Sequence, residues 1–233
     1  GETLAAGAAL AATYPDLAEW LDIGDSWEKT QPGGAEGHDL MALRLTNRSI
    51  PGDKPKLWVQ GGIHARELTT AELATRFAEQ LLADYGVDPD ATWVLDHHEV
   101  WVLLQTNPDG RLKAETGQSG RGNTDDVDGS CSPSQVGIGL KLNYDFYWGC
   151  CDGSSPDPCD ETFRGRVAGS EPETLAVQSL IRSVFPDNRA DDLTSPVVAG
   201  ASGIFLDLHS YGGDVLSPWG FNPQAPPDGP AIL

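Results

Sequence analysis

The sequence predicts an α/β protein, a three-layer α/β/α sandwich with a mixed, mainly parallel sheet. Two observations carry that expectation. Short apolar runs of strand type alternate with longer segments of helical periodicity, and such alternation implies helices packed on the faces of a sheet. The run Val100-Trp101-Val102-Leu103-Leu104 is apolar without interruption, which suits a strand buried on both faces. No internal repeat is visible and no linker divides the chain, so residues 1–233 are read as a single domain.

Taken in order, residues 2–13 are Ala-rich and read as a helix. Leu40 to Thr46 reads as a strand, followed by a turn at Asn47-Arg48-Ser49-Ile50-Pro51-Gly52. Leu57-Trp58-Val59-Gln60 is a strand that runs into Gly61-Gly62. From Glu67 to Tyr85 the apolar residues Leu68, Ala71, Leu73, Ala74, Phe77, Ala78, Leu81 and Leu82 recur at helical spacing, with Gly86 as a stop signal. Asp90 to Asp96 is a short helix, and Val100 to Leu104 the buried strand. Residues 107–165 read mostly as loop. Ser170-Glu171-Pro172-Glu173 opens a helix to about Phe185, with Ser170 as N-cap and early acids favoured by the helix dipole. Ile204 to His209 is the last strand.

The chain has 15 Lys plus Arg against 35 Asp plus Glu, a formal charge of −20. Phosphate backbones and anionic membranes would be repelled, so nucleic-acid and membrane partners are not expected. No apolar run approaches the ~20 residues of a transmembrane helix. Seven Trp and 39% hydrophobic residues argue against a disordered acidic chain. Cys131, Cys150, Cys151 and Cys159 all lie in one Gly-, Ser-, Pro- and Asp-rich stretch. A zinc knuckle would want paired C-x-x-C spacings, and none is present. Two disulfides, with three possible pairings, or four cytosolic thiols remain. A bridge closing such a loop contributes roughly 3 kcal/mol in the loop-entropy view. Acidity, cysteine pairing and a single Met point to a secreted or periplasmic protein.

The strongest local signal is Gly61-Gly62-Ile63-His64-Ala65-Arg66-Glu67. A strand ends in glycines, and His64 and Glu67 lie three apart as a helix begins. An imidazole nitrogen and a carboxylate oxygen so placed form a zinc-type ligand pair. A bland reading competes with it: a strand-end His and a solvated Glu in a first helical turn. The second piece is Phe205-Leu206-Asp207-Leu208-His209-Ser210-Tyr211. His209 ends an apolar strand, where open α/β sheets bind ligands. Two His and one Glu complete a three-ligand catalytic metal site with one position left for water.

Further motifs follow in order: Thr106-Asn107-Pro108-Asp109-Gly110, Gly120-Arg121-Gly122-Asn123, Gly139-Leu140-Lys141-Leu142-Asn143-Tyr144, Trp148-Gly149-Cys150-Cys151 and Ser170-Glu171-Pro172-Glu173. Together with the two His motifs they resemble the zinc carboxypeptidases, the carboxypeptidase A-like metallopeptidases, and most of all their bacterial secreted carboxypeptidase T branch. The resemblance implies a zinc-peptidase-like fold and one Zn²⁺ on His64, Glu67 and His209. It implies hydrolysis of C-terminal peptide bonds by a metal-activated water, with a peptide or protein C-terminus as partner and the chain acting as a monomer. Arg121 matches the arginine that steadies the oxyanion, and Asn143 the asparagine that holds the substrate carboxylate. Arg66 and Tyr211, beside ligands, are expected along the substrate groove. The resemblance also favours the pairing Cys131–Cys159, with Cys150–Cys151 as a vicinal bridge.

The chain departs from the family pattern in three places. The arginine that pairs with the substrate carboxylate is missing near Tyr144. Lys141 stands where an aspartate supports a zinc-bound histidine, and a lysine cannot accept that bond. Only 24 residues follow His209, none of them Glu, whereas the family's catalytic glutamate lies beyond the third ligand. The expectation is a catalytic domain incomplete at its C-terminal end. A zinc- or peptide-binding module without catalysis is the main alternative, and a zinc deacylase of the same superfamily a further one. Asp125-Asp126-Val127-Asp128-Gly129 is a candidate Ca²⁺ run, although it is too short for an EF-hand loop.

Overall fold

The computed structural model describes residues 1–34, 36–127 and 129–229. The elements run in the order α1 (Glu2–Thr13), β1 (Ala18–Asp25), α2 (Trp27–Thr30), β2 (Asp39–Leu45), β3 (Lys56–Gln60) and α3 (Leu68–Ala83). Then come α4 (Pro89–His97), β4 (Glu99–Leu103), α5 (Pro108–Glu115), α6 (Leu140–Asn143), α7 (Pro172–Val184) and β5 (Ile204–Asp207). None of the described helices is long and apolar enough to cross a membrane.

The strands form one sheet in the order β1-β2-β4-β3-β5. Alternate residues of each strand face opposite sides. On one face Leu43, Leu45, Val59, Val100 and Val102 pack against Ala74, Ala78 and Leu82 of α3 and Leu95 of α4, with Leu10 of α1 at the margin. On the other face Ala42, Trp58, Trp101 and Leu103 pack against Val177, Leu180 and Ile181 of α7. These are the three expected layers, and the uninterrupted apolar strand β4 lies between them. The sheet is mixed as expected, but its parallel half is confined to β4-β3-β5. β1 pairs with β2, and β2 with β4, in antiparallel register. Residues 26–38, with the single-turn helix α2, join β1 to β2.

The sequence reading lacked four elements, β1, α2, α5 and α6. β1 has the acids Glu19, Asp22 and Asp25, which disguise a half-buried strand. α5 starts inside Thr106-Asn107-Pro108-Asp109-Gly110: Asn107 is its N-cap, accepting the Gly110 N–H at 3.0 Å, and Pro108 fits the first helical position. Ser170 does not cap α7. The N-cap is Glu171, and the Ser170 hydroxyl donates to Glu171 Oε1 at 2.7 Å.

Cys131 and Cys159 are joined with an S–S distance of 2.03 Å, and Cys150 is joined to Cys151. The first bridge staples the long segment between α5 and α7, where few regular hydrogen bonds hold the chain. In the loop-entropy view it contributes roughly 3–4 kcal/mol by constraining the unfolded chain.

The first turn of α7 is buried. Glu173 accepts the Trp27 N–H at 2.8 Å, and burial pushes its carboxyl up to about 8 from the ordinary 4.5. A raised carboxylate pKa means that the folded state holds an extra proton between these values. The contribution is therefore full below the unfolded pKa and is lost as pH rises through about 8. Glu173→Gln removes that dependence. The variant is expected to gain on the parent as pH rises from about 5 to about 9, by a few kcal/mol at most. Thermal melts across that range check this, and parallel melting curves contradict it.

Candidate metal centre

β3 delivers the chain to the site through two glycines. Gly62 has φ +69°, and a Cβ there would lie 2.4 Å from Gln105 Nε2. A Cβ on Gly61 would lie 2.6 Å from the Thr70 carbonyl oxygen. The bare backbone lets the strand turn tightly against the start of α3. The Thr70 hydroxyl fixes the turn by accepting the Gly62 N–H at 2.9 Å and donating to the Glu67 carbonyl at 2.8 Å. His64 thus leaves the strand end, and Glu67 stands at the N-cap position of α3. His209 lies just past β5, whose pairing to β3 is extended by the Leu208 N–H on the Gln60 carbonyl at 2.9 Å.

These three side chains converge. His64 Nδ1 is 2.8 Å from Glu67 Oε1, and His209 Nδ1 is 3.1 Å from Glu67 Oε2. The two Nδ1 atoms are 3.2 Å apart. The side chains of His64 and Glu67 are 5% and 9% exposed and that of His209 is 30% exposed, so the cluster opens to solvent on one side. Among the described residues this is the one group of three or more His, Cys, Asp or Glu whose ligand atoms all lie within 4.8 Å of one another. Two ring nitrogens directed at one another beside a carboxylate is an arrangement that a shared cation satisfies. The donor set, two nitrogens and one oxygen, suits zinc.

Electrostatics agree with a ligand role. Burial, and next the Arg121 guanidinium, push His64 down to about 4, so its imidazole is neutral near pH 7 with a free lone pair. Burial pushes Glu67 up, but His64 and the Ser210 N–H at 3.1 Å prevail and hold it below the usual range. A hydrogen bond to Asp207 raises His209, with Asp207 Oδ2 2.8 Å from His209 Nε2. A proton on Nε2 facing Asp207 would leave the Nδ1 lone pair for the cluster. Asp207 was not singled out from the sequence. Its signal was present: an acid two residues before a strand-end histidine lies on the same side of the chain.

Arg121 reaches the cluster, with Nη2 2.9 Å from His64 Nε2 and 3.1 Å from Nδ1. Lys141 also arrives there, with Nζ 3.4 Å from His209 Nε2. The lysine therefore meets the far nitrogen of a candidate ligand, as its place in the motif implied, while Asp207 takes the supporting role.

The remaining site residues lie elsewhere. Asn143 is fully buried. Its Nδ2 donates to the carbonyls of Arg164 at 3.0 Å and Val167 at 3.2 Å and to Ser170 Oγ at 2.9 Å, while its Oδ1 accepts the Glu171 N–H at 3.1 Å. The amide is spent on the fold and does not face a substrate. Residues two apart on a helical turn project to different sides. In α6 the inward turn of Leu140 and Asn143 leaves Lys141 outside. Arg66 donates to the Ser119 carbonyl at 3.0 Å and pairs with Glu161 at 2.5 Å, tying the His64 segment to the disulfide-bonded loop. Tyr211 is fully exposed two residues beyond His209. The Ca²⁺ expectation finds no support: the described acids of the run 125–129 form no ligand group, and Asp128 lies outside the described residues.

Comparison with known proteins gives concordant results. The family profile described as zinc carboxypeptidase matches residues 4–232. Carboxypeptidase A1 of Bos taurus is 30% identical over 219 residues, which cover 94% of this chain and 46% of that protein. Metallocarboxypeptidase A of Arthroderma otae is 30% identical over 221 residues, with the same coverage of 94% and 46%. The chain thus spans about half the length of the curated relatives it matches. Among solved structures, carboxypeptidase A from Helicoverpa armigera superposes with a TM-score of 0.76 at 24% identity, covering 97% of this chain and 48% of that one. Thrombin activatable fibrinolysis inhibitor gives a TM-score of 0.78 at 23% identity, covering 97% and 50%. At these identities the two superpositions speak for the fold.

Proposed function

The chain belongs to the zinc carboxypeptidase family, and we propose that it forms the zinc-holding part of a peptidase that removes residues from peptide C-termini. The observation that carries this reading is the convergence of His64, Glu67 and His209 from three separate elements, with Arg121 beside them. Zinc held by these residues supplies an acidified water and a polarised carbonyl. His64 contributes a neutral nitrogen because burial keeps it unprotonated. Asp207 holds His209 in the tautomer that exposes Nδ1. Arg121 donates hydrogen bonds to the carbonyl oxygen as negative charge develops on it, a fixed guanidinium being suited to that task. Arg66 and Tyr211 stand within two residues of candidate ligands in the sequence, and we place them along the substrate groove. The two disulfides support export to a secreted or periplasmic location.

A second reading keeps the zinc and loses the catalysis. It is favoured by the buried amide of Asn143 and by Lys141 at His209, which leave the site without the asparagine expected to hold a terminal carboxylate. Mass spectrometry of a peptide mixture incubated with the purified protein, with and without a chelator, separates the two. Chelator-sensitive loss of single C-terminal residues is the expected result. Intact peptides beside a zinc-loaded protein favour the binding reading, and a protein that takes up no zinc overturns both.

A further inference from the structure

Arg121 lies between Gly120 and Gly122, where no neighbouring side chain could pack to fix its backbone. The loop is nevertheless fixed from Arg121 to Asn123. The Ala65 N–H donates to the Arg121 carbonyl at 3.0 Å, immediately after His64. Asn107 Nδ2 donates to the Gly122 carbonyl at 3.0 Å. A Cβ on Gly122 would lie 2.6 Å from the Gly137 carbonyl carbon, so the loop rests flush on the segment before α6. Asn123 closes the arrangement. Its N–H donates to the Ile138 carbonyl at 3.0 Å, and its Oδ1 accepts the N–H groups of Ile138 at 2.9 Å and Asp125 at 3.2 Å. Its Nδ2 donates to Glu171 Oε2 at 2.6 Å.

We infer that Asn123, gripped by the buried carboxylate of Glu171, is the positioning residue that holds the Arg121 guanidinium against His64. The inference rests on the oxyanion role proposed above for Arg121. Asn123 and Glu171 are both buried, and a hydrogen bond to a carboxylate in such surroundings is strong. Glu171 is the N-cap of α7, and α7 is packed on the sheet through Val177. A rigid path therefore runs from the sheet through α7, Glu171 and Asn123 to a loop that would otherwise swing. Because Arg121 meets charge that appears only in the transition state, a displaced loop lowers kcat and spares KM.

Three variants test this: Asn123→Asp, Glu171→Gln, and the two combined. Asn123→Asp alone sets two carboxylates face to face. In the combined variant the glutamine amide donates to the new aspartate, and a pair of the same shape is restored with its polarity reversed. Side-chain nitrogen relaxation of Arg121 and steady-state kinetics of the zinc-loaded protein are the readouts, with circular dichroism to confirm folding. Asn123→Asp is expected to loosen the guanidinium and to lower kcat about tenfold to a hundredfold, with zinc stoichiometry and KM retained. The combined variant is expected to recover both properties. Glu171→Gln keeps an acceptor without the charge, so it folds most readily and shows a smaller loss in the same direction. A folded Glu171→Gln or Asn123→Asp protein with an Arg121 as ordered as in the parent overturns the inference. If Arg121→Ala leaves kcat unchanged, the oxyanion role fails instead, which the relaxation data do not depend on.

Discussion

His64→Ala is expected to strip zinc from the protein and to end chelator-sensitive hydrolysis. His64 is nearly buried and its nitrogen touches both other candidate ligands, at 2.8 Å and 3.2 Å. Burial holds it neutral, so it brings a lone pair without having to lose a proton first. Without it, Glu67 and His209 remain as two donors, and a catalytic zinc normally needs three. The loss is expected to exceed the roughly tenfold to hundredfold that removing an outer hydrogen-bond partner costs. Asp207→Asn supplies that comparison, because Asp207 contacts His209 Nε2 and not the ligand face. Titration against a competing chelator measures both. A His64→Ala protein that retains the parent's zinc affinity refutes the assignment.

The second large effect is expected at Arg121. Arg121→Ala should lower kcat by about a hundredfold to a thousandfold, the scale for losing one oxyanion donor. KM and zinc content should change little, since the guanidinium acts on charge that develops after binding. Arg121→Lys should recover only part of the loss, because an ammonium lacks the planar fork of donors. Steady-state kinetics of the zinc-loaded proteins decide this. A change confined to KM would assign Arg121 to substrate binding instead.

Much of this molecule was legible in its sequence, for identifiable reasons. Strands β2, β3 and β4 are apolar on both faces because helices cover both, and that composition shows directly. The candidate ligands were legible because the glycines of Gly61-Gly62 and the strand-end position of His209 are local features with a geometric meaning. β1 was hidden because it carries Glu19, Asp22 and Asp25, and acids usually signal loops. The antiparallel half of the sheet depends on which strands pair across long stretches of sequence, β2 with β4 above all, which residue types do not show. Asn143 illustrates the limit most clearly. Its motif identified the right segment, but the direction of a side chain in α6 is set by burial against α7 and the Arg164 loop. That long-range packing turns Asn143 inward and leaves Lys141 at the cluster. Asp207 could have been recognised from its spacing, two residues before His209.

The most direct test of a zinc site on His64, Glu67 and His209 is X-ray absorption at the zinc edge on the purified protein, with metal content measured in parallel. The account predicts one zinc per chain, a first shell of nitrogen and oxygen at about 2.0–2.2 Å, and the outer-shell scattering of two imidazoles. A shell of sulfur at about 2.3 Å, or zinc retained in full when His64 and His209 are both replaced by alanine, would contradict it.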